Sequence, residues 1–510
     1  MTDLIANMVT GFGVALTPSA LLYCFIGVTL GTFIGVLPGI GPLAAIGVLL
    51  PVTFHLPQIE AIIMLAGIYY GTQYGGSTVA ILLNLPGTAS AAVAAIDGHP
   101  MAKQGRAAPA LVITTIASFI GGCVAIVVVM GFAPALAQFA LRFQSPEYFS
   151  LMLMGLLAAA VLAQGSFLKG IGMVLLGLLI GTVGQESLSG LPRYTFGTFY
   201  LYDGLSFVVV VIGLFGLAEV LRNLALGADR EKIETKLGWR DLIPTRRDMA
   251  DSAMPIARGT GIGAFLGVLP GAGSAIASFA AYALEKRISK NRAQFGKGAI
   301  EGVAAPEGAN NAAAQTAFIP TLSLGIPGDA IMAIMLGALL VHGLTPGPQI
   351  IQNNPEFFWG LVASFWIGNL LLLILNLPLV GVWIRLLSIP YGVLFPAILS
   401  FIAIGVYSVY REPFDVFMVT GIALVGYLFV KLRCEPAPLL LGLILSPLLE
   451  DNLRRSMLLS RGDPMIFVER PISLTFLILA VVGVGLVLTG NWRARRAARE
   501  AQTASAEELR

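Results

Sequence analysis

The sequence predicts an all-α integral membrane protein of about 10–12 transmembrane helices. Two internal repeats are expected, with helices broken, or folded into re-entrant hairpins, at Leu-Pro-Gly motifs. Three observations carry this expectation. The 510 residues are 56% hydrophobic and only 12% charged, with a mean hydropathy of +0.84, whereas soluble chains carry roughly 25% charged residues. The apolar runs, as at 204–221, 361–387 and 472–490, are continuous and lack the alternation of a membrane β-barrel. The segment "GTFIGVLPGIG" at 31–41 returns as "GAFLGVLPGAG" at 263–273, 232 positions later.

From the N-terminus onward, no basic residue precedes Lys103. A signal peptide with a positive n-region is therefore not expected, and the N-terminus is expected outside. Lys and Arg concentrate at Lys103–Arg106, Arg222–Arg247, Lys286–Lys297, between Lys431 and Arg461, and from Arg493. By the positive-inside rule these segments face the cytoplasm. Four parts follow. An N-terminal membrane half, 1–221, contains repeat 1 at about 18–110. A charged cytoplasmic linker spans 222–250. A C-terminal membrane half, 251–490, contains repeat 2 at about 250–350. A basic cytoplasmic tail, 491–510, reads as a solvated, frayed helix with Trp492 as an interfacial anchor.

A second pair of motifs keeps the same order. "NLPGT" at 84–88 is echoed by "GIPGD" at 325–329. Two motifs recurring in register mean a duplicated unit. The repeats are expected to be inverted and to meet at the midplane. Their orientation turns on the number of spans between them, which the sequence leaves open.

Each motif has a physical meaning. Pro38 and Pro270 remove a backbone donor and clash one turn back. Gly39 and Gly41, or Gly271 and Gly273, permit close backbone approach and positive φ. Pro86 and Pro327 break the chain in the second motif. A break flanked by apolar residues is tolerated where it lines a cavity or binds something; the competing reading is a tight turn at the membrane surface. The stretches 69–88 and 305–329 then place hydroxyls and amides beside glycine. Candidate carboxylate-binding residues are Gly39, Gly41, Ser77, Asn84, Gly87 and Thr88 from repeat 1. Repeat 2 offers Gly271, Gly273, Ser274, Asn310, Asn311 and Gly328. Hydroxyl and amide donors, with half-helix N-termini, hold an anion without a formal charge. Small-residue helix packing is the alternative.

Asp329 and Glu307 are candidate cation or proton ligands, with Thr88 and Asn311 beside them in the motifs. Asp329 reads equally as a helix N-cap. Asp97, next to Lys103 and Arg106, reads as a solvated loop or cap. Since the motifs hold no Lys or Arg, a bound co-cation would help neutralise an anion, which favours symport.

Other chemistries find no support. Cys24, Cys123 and Cys434 are far apart, read as buried core thiols, and form no CxxC. His55, His99 and His342 are isolated, so spacing assembles no zinc site. No GxxxxGK[ST] pattern occurs, and no catalytic cluster marks an enzyme. The dispersed basic residues give no nucleic-acid patch.

Over about residues 15–490, the motifs "GVLPGIGP", "YYGTQYGGST", "LNLPGTASAAVAAIDGHPMAKQGRA", "GVLPGAGSAIASFAAYALEKR", "EGVAAPEGANNAA" and "LGIPGDAIMAIMLGAL" resemble the large permease subunit of tripartite tricarboxylate transporters. The resemblance implies a permease of the bacterial inner membrane, multi-pass in the lipid bilayer. Its partners would be a small membrane subunit of about four spans and a periplasmic solute-binding protein. It implies secondary import of a citrate-like di- or tricarboxylate, driven by sodium or protons. No cofactor is called for, sodium being the one metal considered, as coupling ion. A homodimer is a candidate assembly, and the C-terminus is placed in the cytoplasm. The alternative is a single-component carboxylate exchanger, or a channel, without a binding protein.

Overall fold

In the computed structural model, the described residues are 2–37, 41–162, 166–186, 190–226, 243–271, 273–386 and 391–508. Almost all regular structure among them is helical, as the composition predicts. Helix α1 (Thr2–Ala15) leads into α2 (Pro18–Val36), which starts where Thr17 accepts the Ala20 N–H and Pro18 fills the first position. Helices α3 (Pro42–Thr53), α4 (Gln58–Leu83), α5 (Ala91–Lys103) and α6 (Ala107–Ala140) complete the first repeat region. Next come α7 (Ser145–Leu162) and α8 (Phe167–Gly181). Helix α9, residues 207–226, widens to a π-helix at Ile212–Leu217.

The second repeat opens on α10 (Arg246–Gly267), where Thr245 and Asp248 form a capping box. It continues through α11 (Gly273–Ile288), α12 (Glu301–Thr316), α13 (Phe318–Leu324) and α14 (Ala330–Val341). Then follow α15 (Pro355–Asn376), α16 (Tyr391–Tyr410), α17 (Pro413–Lys431), α18 (Ala437–Leu459) and α19 (Pro471–Glu508). The basic tail is thus a helical continuation of α19. Six of the described helices are long and apolar enough to cross a bilayer, and six more are apolar but shorter, 10–17 residues. The short ones include α3 and α14, the pieces that follow the motif breaks.

The chain forms two compact units, 1–142 with 206–432, and 143–205 with 433–510. Both repeats belong to the first. The 222–250 segment lies within that unit's range, and its residues 227–242 are outside the described ones.

The duplication extends to backbone packing. Gly27, Gly31 and Gly35 seat α2 against α4 at the carbonyls of Met64, Ile68 and Thr72, with which an added β-carbon would collide. Gly259, Gly263 and Gly267 seat α10 against α12 at Ala305, Ala309 and Ala313 in the same way. Such close approach is how small residues join helices in lipid, where no hydrophobic force pulls them together. Numbers rise together along both members of each pair, so α2 runs parallel to α4 and α10 parallel to α12.

Between the repeats the order reverses. Along α4, Tyr69 reaches Asp329, Ser77 reaches Glu307, and Ile81 packs in one cluster with Val303 and Ala304. Helices α4 and α12 are therefore antiparallel, and the repeats are inverted. Their ends match reciprocally. Gln58, at the start of α4, donates to the His342 carbonyl just past α14 at 2.7 Å. Gln104, just past α5, donates to the Lys297 carbonyl ahead of α12 at 2.8 Å.

In the second unit, Gly177 of α8 meets the Leu439 backbone and Gly442 of α18 meets Val174. Strands β1 (Gly184–Gln185) and β2 (Pro192–Arg193) pair antiparallel beside α18. Arg193 forks onto Glu450 at 2.9 and 3.0 Å, and these charge-assisted bonds, with Arg454, hold that carboxyl below its ordinary range. Of the cysteines, Cys24 is buried as expected, whereas Cys123 and Cys434 are half-buried.

Candidate functional site

In each repeat the hairpin break packs against the Pro-Gly loop. Gly271 and Gly273 take φ of 84° and 61°, which a side chain would strain. The Gly271 N–H donates to the Gly328 carbonyl at 2.7 Å. Gly273 lies against Asp329, where an added β-carbon would stand 3.2 Å from the Asp329 β-carbon. In repeat 1, Gly41 faces the Gly87 carbonyl, and Gly87 in turn is pressed between Gly35 and Gly76. Pro38 and Gly39 lie outside the described residues. Pro270 is partly buried ahead of the turn.

The loops themselves are built alike, 241 positions apart. Asn84 (φ 55°) and Gly325 (φ 70°) end the preceding helix in the left-handed conformation. Thr88 accepts the Ala91 N–H at 3.0 Å, and Asp329 accepts the Met332 N–H at 2.8 Å. Asp329 is therefore an N-cap, as one sequence reading had it, and its second oxygen takes a bond from the other repeat. Asn84 and Pro86 are exposed at the end of α4, while Pro327, Gly328 and Thr88 are buried. The structure thus gives Asn84 a capping place and does not bring it to the other candidates.

The two loops meet along one face of α4. Tyr69, Gln73 and Ser77 stand at i, i+4 and i+8, hence on one stripe. The Tyr69 hydroxyl donates to Asp329 Oδ2 at 3.0 Å, with buried Ser274 beside it. Ser90 donates to Gln73 Oε1 at 3.1 Å and lies 2.9 Å from Thr88 Oγ1. Ser77 donates to Glu307 Oε1 at 2.7 Å. Ser118 of α6 donates to Glu307 Oε2 at 3.3 Å and receives the Asn311 amide at 2.7 Å. Sequence reading missed Tyr69, Gln73 and Ser118. The first two could have been found from their fourfold spacing with Ser77. Ser118 sits in an otherwise ordinary apolar run.

The cluster is buried and short of partners. Glu307 is 1% exposed and Asn310 0%. Both side-chain atoms of Asn310, the Gln73 Nε2 and the Gln315 Oε1 have no hydrogen-bond partner among the described residues. Asn310 lies beside the Glu307 carboxyl. An unmade buried polar bond costs about 1–3 kcal/mol, so this cluster is the candidate site for a ligand that would complete those bonds. The groups on offer are hydroxyls, amides and two carboxyls, which can hold an anion by hydrogen bonds and a hard cation by oxygens. Among the described residues, no Lys, Arg or His forms an ion pair with Glu307 or Asp329.

Asp97 departs from its expected solvated place. It is fully buried and accepts the N–H groups of Gly296, Gly298 and Ala299 at 2.7, 2.9 and 2.9 Å, and the Tyr282 hydroxyl at 2.9 Å. The flanking Lys103 and Arg106 suggested water. The carboxylate instead serves as the anchor of a turn in the opposite repeat, and Arg106 pairs with Asp248 at 2.7 Å.

Residues 21–441 match the family described as the tripartite tricarboxylate transporter TctA family. An "uncharacterized 52.8 kDa protein" in the TAR-I ttuC' 3' region of Agrobacterium vitis is 52% identical over 496 residues, 97% of this chain and 98% of its own. An "uncharacterized protein" in the TAR-II ttuC' 3' region of the same organism is 56% identical over 234 residues, 46% of this chain and 97% of its own. No solved structure matches.

Proposed function

This chain belongs to the tripartite tricarboxylate transporter TctA family, and from that premise we propose that it is the permease through which a di- or tricarboxylate enters the cell by cation symport. In this reading a periplasmic solute-binding protein delivers the substrate and a small membrane subunit completes the complex in the inner membrane. The C-terminal tail is cytoplasmic, and a homodimer is the proposed assembly. Inverted repeats around one site are the usual frame for alternating access.

One observation carries the reading. The stripe Tyr69–Gln73–Ser77 faces Glu307 and Asp329 between antiparallel repeats, with amides unpaired and no cationic side chain bonded to either carboxyl among the described residues. Such a site accepts an anion through neutral donors only when its own carboxyls are neutralised, which a coupled cation does.

The test is uptake into proteoliposomes holding this chain with its small subunit, supplied with the binding protein and labelled carboxylates. Sodium and proton gradients are imposed separately. Accumulation above equilibrium that requires the binding protein and one gradient is the expected result. Equilibration that needs neither overturns symport and leaves an exchanger or channel.

A further inference from the structure

Building on the import reading above, we propose that Glu307 and Asp329 are two separate positions for monovalent cations, both filled before substrate binds, so that one dianion travels with two cations.

The two carboxyls meet α4 at different heights. Glu307 takes its bond from Ser77 and Asp329 from Tyr69. These residues are eight apart, about 12 Å along a helix at 1.5 Å per residue. A hard cation holds its oxygens within about 2.6 Å, so one ion cannot serve both.

Each position has its own neutral oxygens and one negative charge. At Glu307 these are the Ser77 and Ser118 hydroxyls and the Asn310 amide oxygen, which is 0% exposed and lies beside the carboxyl, with no geometrically formed hydrogen bond to either Asn310 side-chain atom among the described residues. At Asp329 they are the Tyr69 hydroxyl and neighbouring Ser274. A single carboxylate matches a monovalent ion; divalent sites gather more charge. Midway between the two heights stands Gln73, its Nε2 unpaired and aligned with both on the stripe, available to a substrate carboxylate. Without the cations, a dianion would face two uncompensated carboxylates at low dielectric. With them, a dianionic cargo is electroneutral, and a trianionic one carries a single negative charge.

The experiment counts cations on the purified full-length chain. Equilibrium dialysis with radioactive sodium at neutral pH is paired with proton counting by titration in sodium-free buffer. The expected series is two ions per wild-type chain, one for Glu307→Gln, one for Asp329→Asn and none for the double variant. Seen with sodium, the series identifies sodium sites; seen only in the proton count, it identifies proton sites. One ion per wild-type chain, or loss of both ions in either single variant, overturns the proposal. Ser77→Ala keeps the carboxyl and guards against misfolding. In the sodium count it should weaken one position about tenfold, roughly the worth of one lost polar contact to a charged group, and leave the other unchanged; equal weakening of both overturns separateness. Counting needs no transport. Two ions on a chain that accumulates no carboxylate would defeat the import reading alone, and gradient-driven uptake with one ion counted would defeat this proposal alone.

Discussion

At the scale of residues, a glutamate that is 1% exposed and takes hydrogen bonds from the Ser77 and Ser118 hydroxyls sets the problem the site must solve. A buried charge without a partner costs several kcal/mol even after relaxation. The unpaired amides beside it extend the same argument to the substrate. Gln73→Ala removes an unpaired buried donor and should raise the KM for carboxylate about tenfold with folding unchanged, read from initial uptake rates and thermal unfolding. An unchanged KM would remove Gln73 from the site. Much of this was legible in the sequence at Glu307, Asn311, Ser77 and Asp329, because polar groups in apolar surroundings are conspicuous. Asn84 looked equally conspicuous, yet its place is a left-handed cap, a role that backbone geometry decides. Asp97 was hidden by its basic neighbours; its partners lie about 200 positions away, at Gly296, Gly298 and Ala299.

At the scale of elements, the glycines carry the architecture. The repeated "GVLPG-x-G" disclosed the duplication and the broken helices. The spacing of Gly27, Gly31 and Gly35 also encoded the seam with α4, but only packing shows which helix receives it. The seam fixes how the α4 stripe is held. Gly31→Leu drives a side chain into the Ile68 backbone. It should abolish monodisperse protein on size-exclusion chromatography, whereas Gly13→Leu, with open space around it, should not. Normal yield of Gly31→Leu would show that the seam tolerates separation. Chain direction was the element-scale property that sequence left open. It depends on which ends meet, and the crossed pairs Gln58 with His342 and Gln104 with Lys297 settle it.

At the scale of the whole chain, the first unit holds both repeats, with the polar stripe between them. Alternating access requires the two ends of that inter-repeat seam to separate in turn. The Gln104–Lys297 contact belongs to one end and the Gln58–His342 contact to the other. The most direct measurement is uptake after cross-linking one end. Gln104→Cys with Lys297→Cys, introduced into a chain lacking Cys24, Cys123 and Cys434, would be oxidised in proteoliposomes. Gradient-driven carboxylate uptake should fall to background in the cross-linked fraction and return on reduction. Undiminished uptake by fully cross-linked protein would contradict movement between the inverted repeats, and with it the placement of the transport site between them.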